Sequence, residues 1–309
     1  MKHFLKVTDL SVEEISEVFK LAAQYKRERA ATPKPLDGQS WGMLFYKNST
    51  RTRVSFEVGL HELGAHPVIL SASNTQISRG ETVADTAKVL SRYLHGMIIR
   101  CYEHSLLDDF AEFGTMPIVN ALSDYSHPCQ ILTDIFSLAE KVTDGDYLSA
   151  VQGRKIAFMG DTNCNMANSW LLAGAHLGID IALGGPQELA PGQEVIDDLA
   201  SQGKPLTDQF TTDPLKAAKD ADVVYTDVWV SMGMEDEKED RLKMLEPYQV
   251  NADVMAVAKP DAYFMHCLPA HLGEEVSEDV YNSPASIVFD EAENRLHVQK
   301  AILTVLTAK

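Results

Sequence analysis

Residues 47–53 read Lys-Asn-Ser-Thr-Arg-Thr-Arg, following an apolar strand-like stretch and opening a helical pattern. At a helix start the first backbone N–H groups lack intrahelical partners, and the dipole favours negative charge. Hydroxyls and guanidinium groups added to those donors make an anion site. A single Ser-Thr-Arg would read better as a capped helix with solvated arginines. Five donor residues in a row, Ser49 to Arg53, tilt the reading towards a phosphate cradle. The chain carries 45 acidic against 27 basic residues, a formal charge of -18. That field repels phosphate backbones and excludes a nucleic-acid or anionic-membrane surface. An anionic ligand must therefore be met by a local basic cluster such as this one.

Other patterns fail on spacing. There is neither GxGxxG nor GxxxxGK[ST], so the dinucleotide and P-loop fingerprints are absent. His61 and His66 are five residues apart, and histidines so spaced do not share a helix face as a zinc-binding pair. His266, Cys267 and His271 lie close in sequence, yet Leu268-Pro269 predicts a turn between them and no second Cys/His cluster follows. A metal is the weaker reading there. Cys101, Cys129, Cys164 and Cys267 are scattered without a CxxC and read as reduced thiols.

Ser49-Thr50-Arg51-Thr52-Arg53 followed by Ser55-Phe56-Glu57 resembles the phosphate loop of the aspartate/ornithine carbamoyltransferase family. So do Gly80-Glu81-Thr82 with Asp85-Thr86, then His127-Pro128-Cys129-Gln130, and Glu291-Ala292-Glu293-Asn294-Arg295. The blocks keep the family's order and spacing over essentially the whole chain. Asp227-Val228-Trp229-Val230-Ser231-Met232-Gly233 and His266-Cys267-Leu268-Pro269 resemble the ornithine branch. The aspartate branch lacks Ser-Met-Gly and typically reads His-Pro-Leu-Pro at the second block. Gln76 also suits the ornithine branch, and Arg79 stands where the other branch carries a lysine. One departure is the run Thr162-Asn163-Cys164-Asn165, one residue longer than the family's usual Gly-Asp-Gly-Asn-Asn pattern allows. Asn165 is the best match to the ornithine-binding asparagine, with Asn163 as its rival.

The resemblance implies that carbamoyl phosphate and L-ornithine give L-citrulline and phosphate, with no cofactor and no metal. Ser49, Thr50, Arg51 and Thr52 would hold the phosphate, while Arg100 and His127 with Thr52 polarise the carbonyl. Gln130 would hold the carbamoyl amide, and Gln76, Arg295 and the backbone around Cys267 and Leu268 would complete that pocket. Asn165, Asp227, Ser231 and Met232 would hold the amino-acid end of ornithine. Taken alone, Arg100 reads as a strand-end charge and His127 as a helix cap; their place in matching blocks reverses that. Cys267, near Asp227, reads equally as a helper in proton removal and as an inert thiol. The family also implies a homotrimer with shared sites, the Gln76–Glu81 loop reaching the neighbour. Another amine such as acylated ornithine or putrescine is the first rival, and a catalytically silent binding protein the second. Asp227 with Ser-Met-Gly argues against the first, and the presence of Arg51 and Arg100 against the second.

These residues must be held by a scaffold, and the hydrophobic pattern supplies one. Ser11-x-x-Glu14 is a capping box opening a first helix. Strand-like and helix-like segments then alternate: strands at 43–46, 67–70, 97–100 and 117–121, helices at 54–63, 82–94 and from Pro128. After the turn cluster Thr143-Asp144-Gly145-Asp146 the alternation restarts. Strands are expected at 155–159, 179–183, 222–226, 263–266 and 286–289, and a last helix at 295–307. The expectation is an α/β protein of two domains, 1–143 and 144–294. Each is a parallel sheet flanked by helices, the final helix 295–309 packs back on the first, and the active site lies in the interdomain cleft. Met234 to Arg241 is a charged run, read as a solvated face or part of a lid. No stretch approaches a membrane span and Met1 to Lys6 does not read as a signal peptide, so a cytoplasmic protein is expected.

Overall fold

A computed structural model describes residues 2–71, 75–230 and 235–308. The chain forms two compact units, one of residues 1–136, 143–148 and 293–309, the other of 137–142 and 149–292.

In the first unit, helix α1 (Val12–Arg27) starts where Ser11 Oγ accepts from the Glu14 N–H and the Glu14 carboxylate accepts from the Ser11 N–H. Its apolar positions Ile15, Val18, Phe19, Ala22 and Tyr25 are buried. Then follow β1 (Ser40–Phe45), α2 (Thr50–Glu62), β2 (His66–Ser71), α3 (Val83–Leu90), β3 (Gly96–Arg100), α4 (Ser105–Phe113), β4 (Ile118–Leu122) and α5 (Pro128–Val142). The strands are parallel in the order β2-β1-β3-β4. Trp41 on β1 is opposite Gly96 on β3, and a Cβ at Gly96 would sit 2.4 Å from the indole. Glycine there lets a fully buried tryptophan lie flat across the neighbouring strand. Leu44, Met97, Ile99 and Ile118 form the core beside it, each worth roughly 1.5–3 kcal/mol of transfer free energy.

The second unit repeats the plan with β5 (Lys155–Met159), α6 (Asn165–Leu177), β6 (Asp180–Gly184), α7 (Gln193–Ser201), β7 (Phe210–Thr211) and α8 (Pro214–Ala218). The chain continues through β8 (Val223–Thr226), α9 (Lys238–Leu245), α10 (Ala252–Val257), β9 (Tyr263–His266) and α11 (Glu278–Tyr281); α12 (Val288–Thr307) starts in this unit and from Glu293 belongs to the first. Its parallel order is β7-β6-β5-β8-β9.

Both sheets therefore wind outward from their first strand, return, and wind the other way. The order reverses between β1 and β3 in one unit and between β5 and β8 in the other. A crevice opens at the carboxyl ends of such a strand pair, where open α/β sheets bind ligands.

The expected strand at 286–289 is absent. Ser286 makes only an isolated bridge to Phe264, and α12 begins at Val288 rather than at Arg295. Ile287 and Val288 are buried while Phe289 is 69% exposed, a pattern that suits a helix start and not the alternation of a strand. Helix α4 was not read from the pattern, although a parallel β3–β4 connection requires a crossover of that kind. Among the described residues no helix is long and apolar enough to cross a membrane.

Candidate active site

Helix α2 starts at the carboxyl end of β1, beside the first reversal point. Ser49 is its extended N-cap, and its hydroxyl accepts from the Thr52 N–H at 3.2 Å. Thr50 and Arg51 stand exposed on the first turn, whereas Thr52 is buried. Arg100 ends β3, across that reversal, and its Nη1 lies 3.5 Å from Thr52 Oγ1. Arg295, two turns into α12, donates from Nη2 to the same hydroxyl at 2.8 Å. Its Nη1 donates to Gln130 Oε1 at 2.5 Å, and Gln130 Nε2 donates to Asp134 Oδ1 at 2.7 Å.

Two guanidinium groups thus meet at one hydroxyl, and Gln130 links one of them, Arg295, to the buried carboxylate of Asp134. The concentration of positive charge beside a helix N-terminus suits a dianion. His127, just before Pro128 at the start of α5, is also buried. Burial pushes its imidazole well below its ordinary pKa, and the nearby Arg295 and Arg100 charges add to the shift. A neutral imidazole beside two guanidiniums can polarise a carbonyl without adding a third charge.

The structure thus brings together Ser49, Thr52, Arg100, His127, Gln130 and Arg295, with Thr50 and Arg51 on the same helix start. Gln76 is exposed on a 3-10 turn after β2. Asp134 was missed by the sequence reading. Its signal is the i,i+4 spacing from Gln130, which puts both side chains on one helix face.

In the second unit, the loops after β5 and β8 flank the other reversal point. Asp227 follows β8, and its Oδ1 accepts from the Val228 N–H at 2.7 Å and from Cys267 Sγ at 2.9 Å. Cys267 follows β9, so adjacent strands deliver the thiol and the carboxylate to one place. Leu268, in the left-handed region at φ 58°, precedes a cis proline. Its N–H donates to His266 Nδ1 at 2.8 Å, which leaves the ring proton on Nε2, 3.3 Å from the buried Glu275 carboxylate. His266 Nδ1 is therefore engaged, and His271 is about half exposed.

Asn165 is the first residue of α6 and half-buried, while Asn163 is exposed in the loop before it. Cys164 between them is the N-cap. Burial raises its thiol well above the ordinary range, with Asp161 and Asp227 adding to the shift. The expected ornithine contacts Ser231 and Met232 lie outside the described residues, as does the side chain of Arg79.

The charged run from Met234 differs from its reading at its end. Asp236 to Asp240 are exposed, but Arg241 is buried, donating to the Trp229 carbonyl and to Asp161. Periodicity offered no signal for it, because a charged neighbourhood hides one inward-facing charge.

A family model described as the carbamoyl-P binding domain of aspartate/ornithine carbamoyltransferase matches residues 2–140. A second, described as the Asp/Orn binding domain, matches residues 152–306. Ornithine carbamoyltransferase of Methanoculleus marisnigri is 46% identical over 99% of this chain and 97% of its own length. The anabolic ornithine carbamoyltransferase of Pyrococcus furiosus is 45% identical, covering 99% and 96%. Among solved structures, the ornithine carbamoyltransferase from Pyrococcus furiosus superposes with a TM-score of 0.89 at 45% identity, covering 98% of this chain and 96% of that one. The anabolic ornithine carbamoyltransferase from Campylobacter jejuni gives 0.89 at 40% identity, covering 99% of both chains.

Proposed function

This chain belongs to the aspartate/ornithine carbamoyltransferase family, and from that premise we propose that it carbamoylates the δ-amine of L-ornithine with carbamoyl phosphate, giving L-citrulline and phosphate. The observation that carries the reading is the pairing of Cys267 with Asp227, in the ornithine-type sequence block, at the second unit's reversal point.

In this reading residues 1–143, with the part of α12 from Arg295 onward, hold carbamoyl phosphate, and residues 144–294 hold ornithine. The helix start at Ser49–Thr52 with Arg51 takes the phosphate dianion. Arg100, neutral His127 and the Thr52 hydroxyl face the carbonyl oxygen, where each donor is worth ~2.7–4 kcal/mol as negative charge develops. Gln130, oriented by Arg295 and Asp134, holds the carbamoyl amide, and the backbone at Cys267 and Leu268 closes that pocket with Gln76. The ornithine δ-nitrogen attacks the carbonyl carbon, the bond from carbon to the phosphate oxygen breaks, and the amine loses a proton. An amine with a lysine-like pKa costs roughly 4–5 kcal/mol to deprotonate at pH 7. Asp227, with Asn165, Ser231 and Met232, anchors the amino-acid end of ornithine, and Cys267 stands beside that anchor.

The family resemblance supports a homotrimer with shared sites and a cytoplasmic step of arginine biosynthesis. A citrulline assay offering ornithine, acetylornithine, putrescine and aspartate in parallel tests the substrate. Ornithine should be used well ahead of the others; preference for acetylornithine or putrescine would overturn the reading.

A further inference from the structure

Lys300 lies in the middle of α12, and its side chain is 0% exposed. A lysine head group is rarely enclosed unless it is paired. Its Nζ donates to Glu62 Oε2 at 2.6 Å and lies 3.4 Å from Thr32 Oγ1. It also stands over the Tyr25 ring, 5.1 Å from the centroid. Tyr25 belongs to α1, Thr32 to the segment after it, and Glu62 to the last turn of α2. One ammonium group therefore joins α12 to two other helices of the first unit. Glu62 accepts from Arg29 Nε as well, at 2.8 Å, and the Arg29 side chain is 54% exposed.

Polar contacts join α12 to α2 near both ends of α2. Arg295 meets Thr52 on the first turn, and Lys300 meets Glu62 on the last. Ten residues of helix separate these points, about 15 Å along the axis. Contacts so far apart fix both the slide and the crossing angle of one helix on another, whereas a contact at Thr52 alone fixes neither. Between them Gly59 faces α12, where a Cβ would sit 3.2 Å from Lys300 Cγ and 3.6 Å from Leu296 Cδ1. The glycine leaves room for the lysine stem on its way to Glu62. A carboxylate on the last turn of a helix opposes the helix dipole, so Glu62 does not serve α2 by itself. Nor does a buried ion pair generally stabilise a fold more than apolar residues of similar volume; its best-attested use is to specify register.

We propose that Lys300 is a positioning residue for the carbamoyl phosphate pocket: seated on Glu62, it fixes the register of α12 against α2 at which Arg295 meets Thr52. The inference rests on the proposed function, which takes Arg295 and Thr52 as carbamoyl phosphate contacts. Lys300 touches no substrate in this scheme and acts through Arg295. Its effect should fall on carbamoyl phosphate, because Asn165 and Asp227, the proposed ornithine contacts, belong to the other unit.

The test compares the wild type with Lys300→Met and with the double variant Lys300→Met, Glu62→Leu, which replaces the pair by apolar side chains of similar bulk. Each is measured for thermal unfolding, carbamoyl phosphate affinity by calorimetry, and ornithine kinetics at saturating carbamoyl phosphate. Losing the Arg295–Thr52 bond outright corresponds to about 10- to 100-fold in affinity, so a displaced Arg295 should weaken carbamoyl phosphate binding roughly tenfold. The ornithine KM should not change. The double variant should unfold at or above the wild-type temperature and still bind carbamoyl phosphate weakly. A pair that served stability alone would leave that affinity at the wild-type value in every variant that folds. In an Arg295→Ala background, Lys300→Met should weaken binding no further, since its effect passes through Arg295. Wild-type affinity in a folded variant would overturn the inference, as would losses that add to those of Arg295→Ala. If Lys300→Met does not fold, the double variant carries the comparison; failure of both to fold would show that the fold itself requires the pair and would also overturn the inference. A wild type that does not bind carbamoyl phosphate would overturn the functional reading, whereas wild-type binding with unchanged variants overturns the register role alone.

Discussion

Arg295 Nη2 donates to Thr52 Oγ1 at 2.8 Å, although the two residues are 243 positions apart in the chain. Arg100 approaches the same oxygen from the end of β3. A hydroxyl at the first turn of α2 therefore orients two buried guanidiniums from distant parts of the sequence. Thr52→Val keeps the shape and removes that acceptor. Hydrogen bonds to charged groups contribute about 1.5–3 kcal/mol, so carbamoyl phosphate should bind roughly 10- to 100-fold more weakly. Calorimetry measures it, and unchanged affinity would show that the arginines do not depend on Thr52.

Arg51→Ala and Arg100→Ala should both abolish useful turnover, by different routes. Arg51 is exposed at the helix start and should act mainly on phosphate binding. Arg100 is buried beside Thr52, and its loss should lower kcat by about 10²–10³-fold through the developing oxyanion. Tight carbamoyl phosphate binding by Arg51→Ala would remove Arg51 from the cradle.

Burial, reinforced by Arg295 and Arg100, holds His127 neutral well below its ordinary pKa. It therefore contributes no titration near neutrality, and the substrate amine does. Between pH 6 and 9, kcat/KM for ornithine should rise with pH, and His127→Gln should lower the rate without removing the slope. A flat wild-type profile would show that another step sets the rate.

Burial also lowers the imidazole of His297 to about 4, chiefly by desolvation and then by the Lys300 charge. An unfolded histidine titrates near ~6.5, so below that pH the unfolded chain binds protons that the folded chain refuses. For both histidines the native state is favoured above ~6.5 and loses ground as the pH falls towards the folded values. Urea unfolding at pH 7.5 and 5 should show the loss, and His297→Gln should reduce it. An equal loss in the variant would assign the acid sensitivity elsewhere.

Cys267 Sγ is 2.9 Å from Asp227 Oδ1. Cys267→Ser should leave carbamoyl phosphate affinity nearly intact and weaken the use of ornithine. An ornithine KM equal to that of the wild type would assign the thiol to packing.

Shared sites in a trimer can be tested by mixing two inactive parents, Arg51→Ala chains with chains carrying Gln76→Ala and Arg79→Ala. In a head-to-tail ring, random equal mixing should restore about a quarter of wild-type activity. Mixed trimers without recovery would show that the loop at Gln76 does not serve its neighbour.

Local chemistry was legible from the sequence. Ser11 and Ser49 cap helices because their hydroxyls satisfy N–H groups three residues on, a relation fixed by spacing. The alternation of apolar runs and helical faces carried two parallel sheets, and Ser49-Thr50-Arg51-Thr52 carried the start of α2 after a strand. What spacing cannot contain is which side chain meets which across the fold. The strand orders placed Arg100 across from Thr52, and Asp227 beside the loop of Asp161. The last helix brought Arg295 and Gln130 together, and its start at Val288 replaced an apolar run that resembled a strand. Arg241 was indistinguishable from its exposed neighbours in a charged run. Whether a charge is solvated or buried depends on the groups that fold over it, and the Trp229 carbonyl and Asp161 reach Arg241 only once β5 and β8 lie side by side.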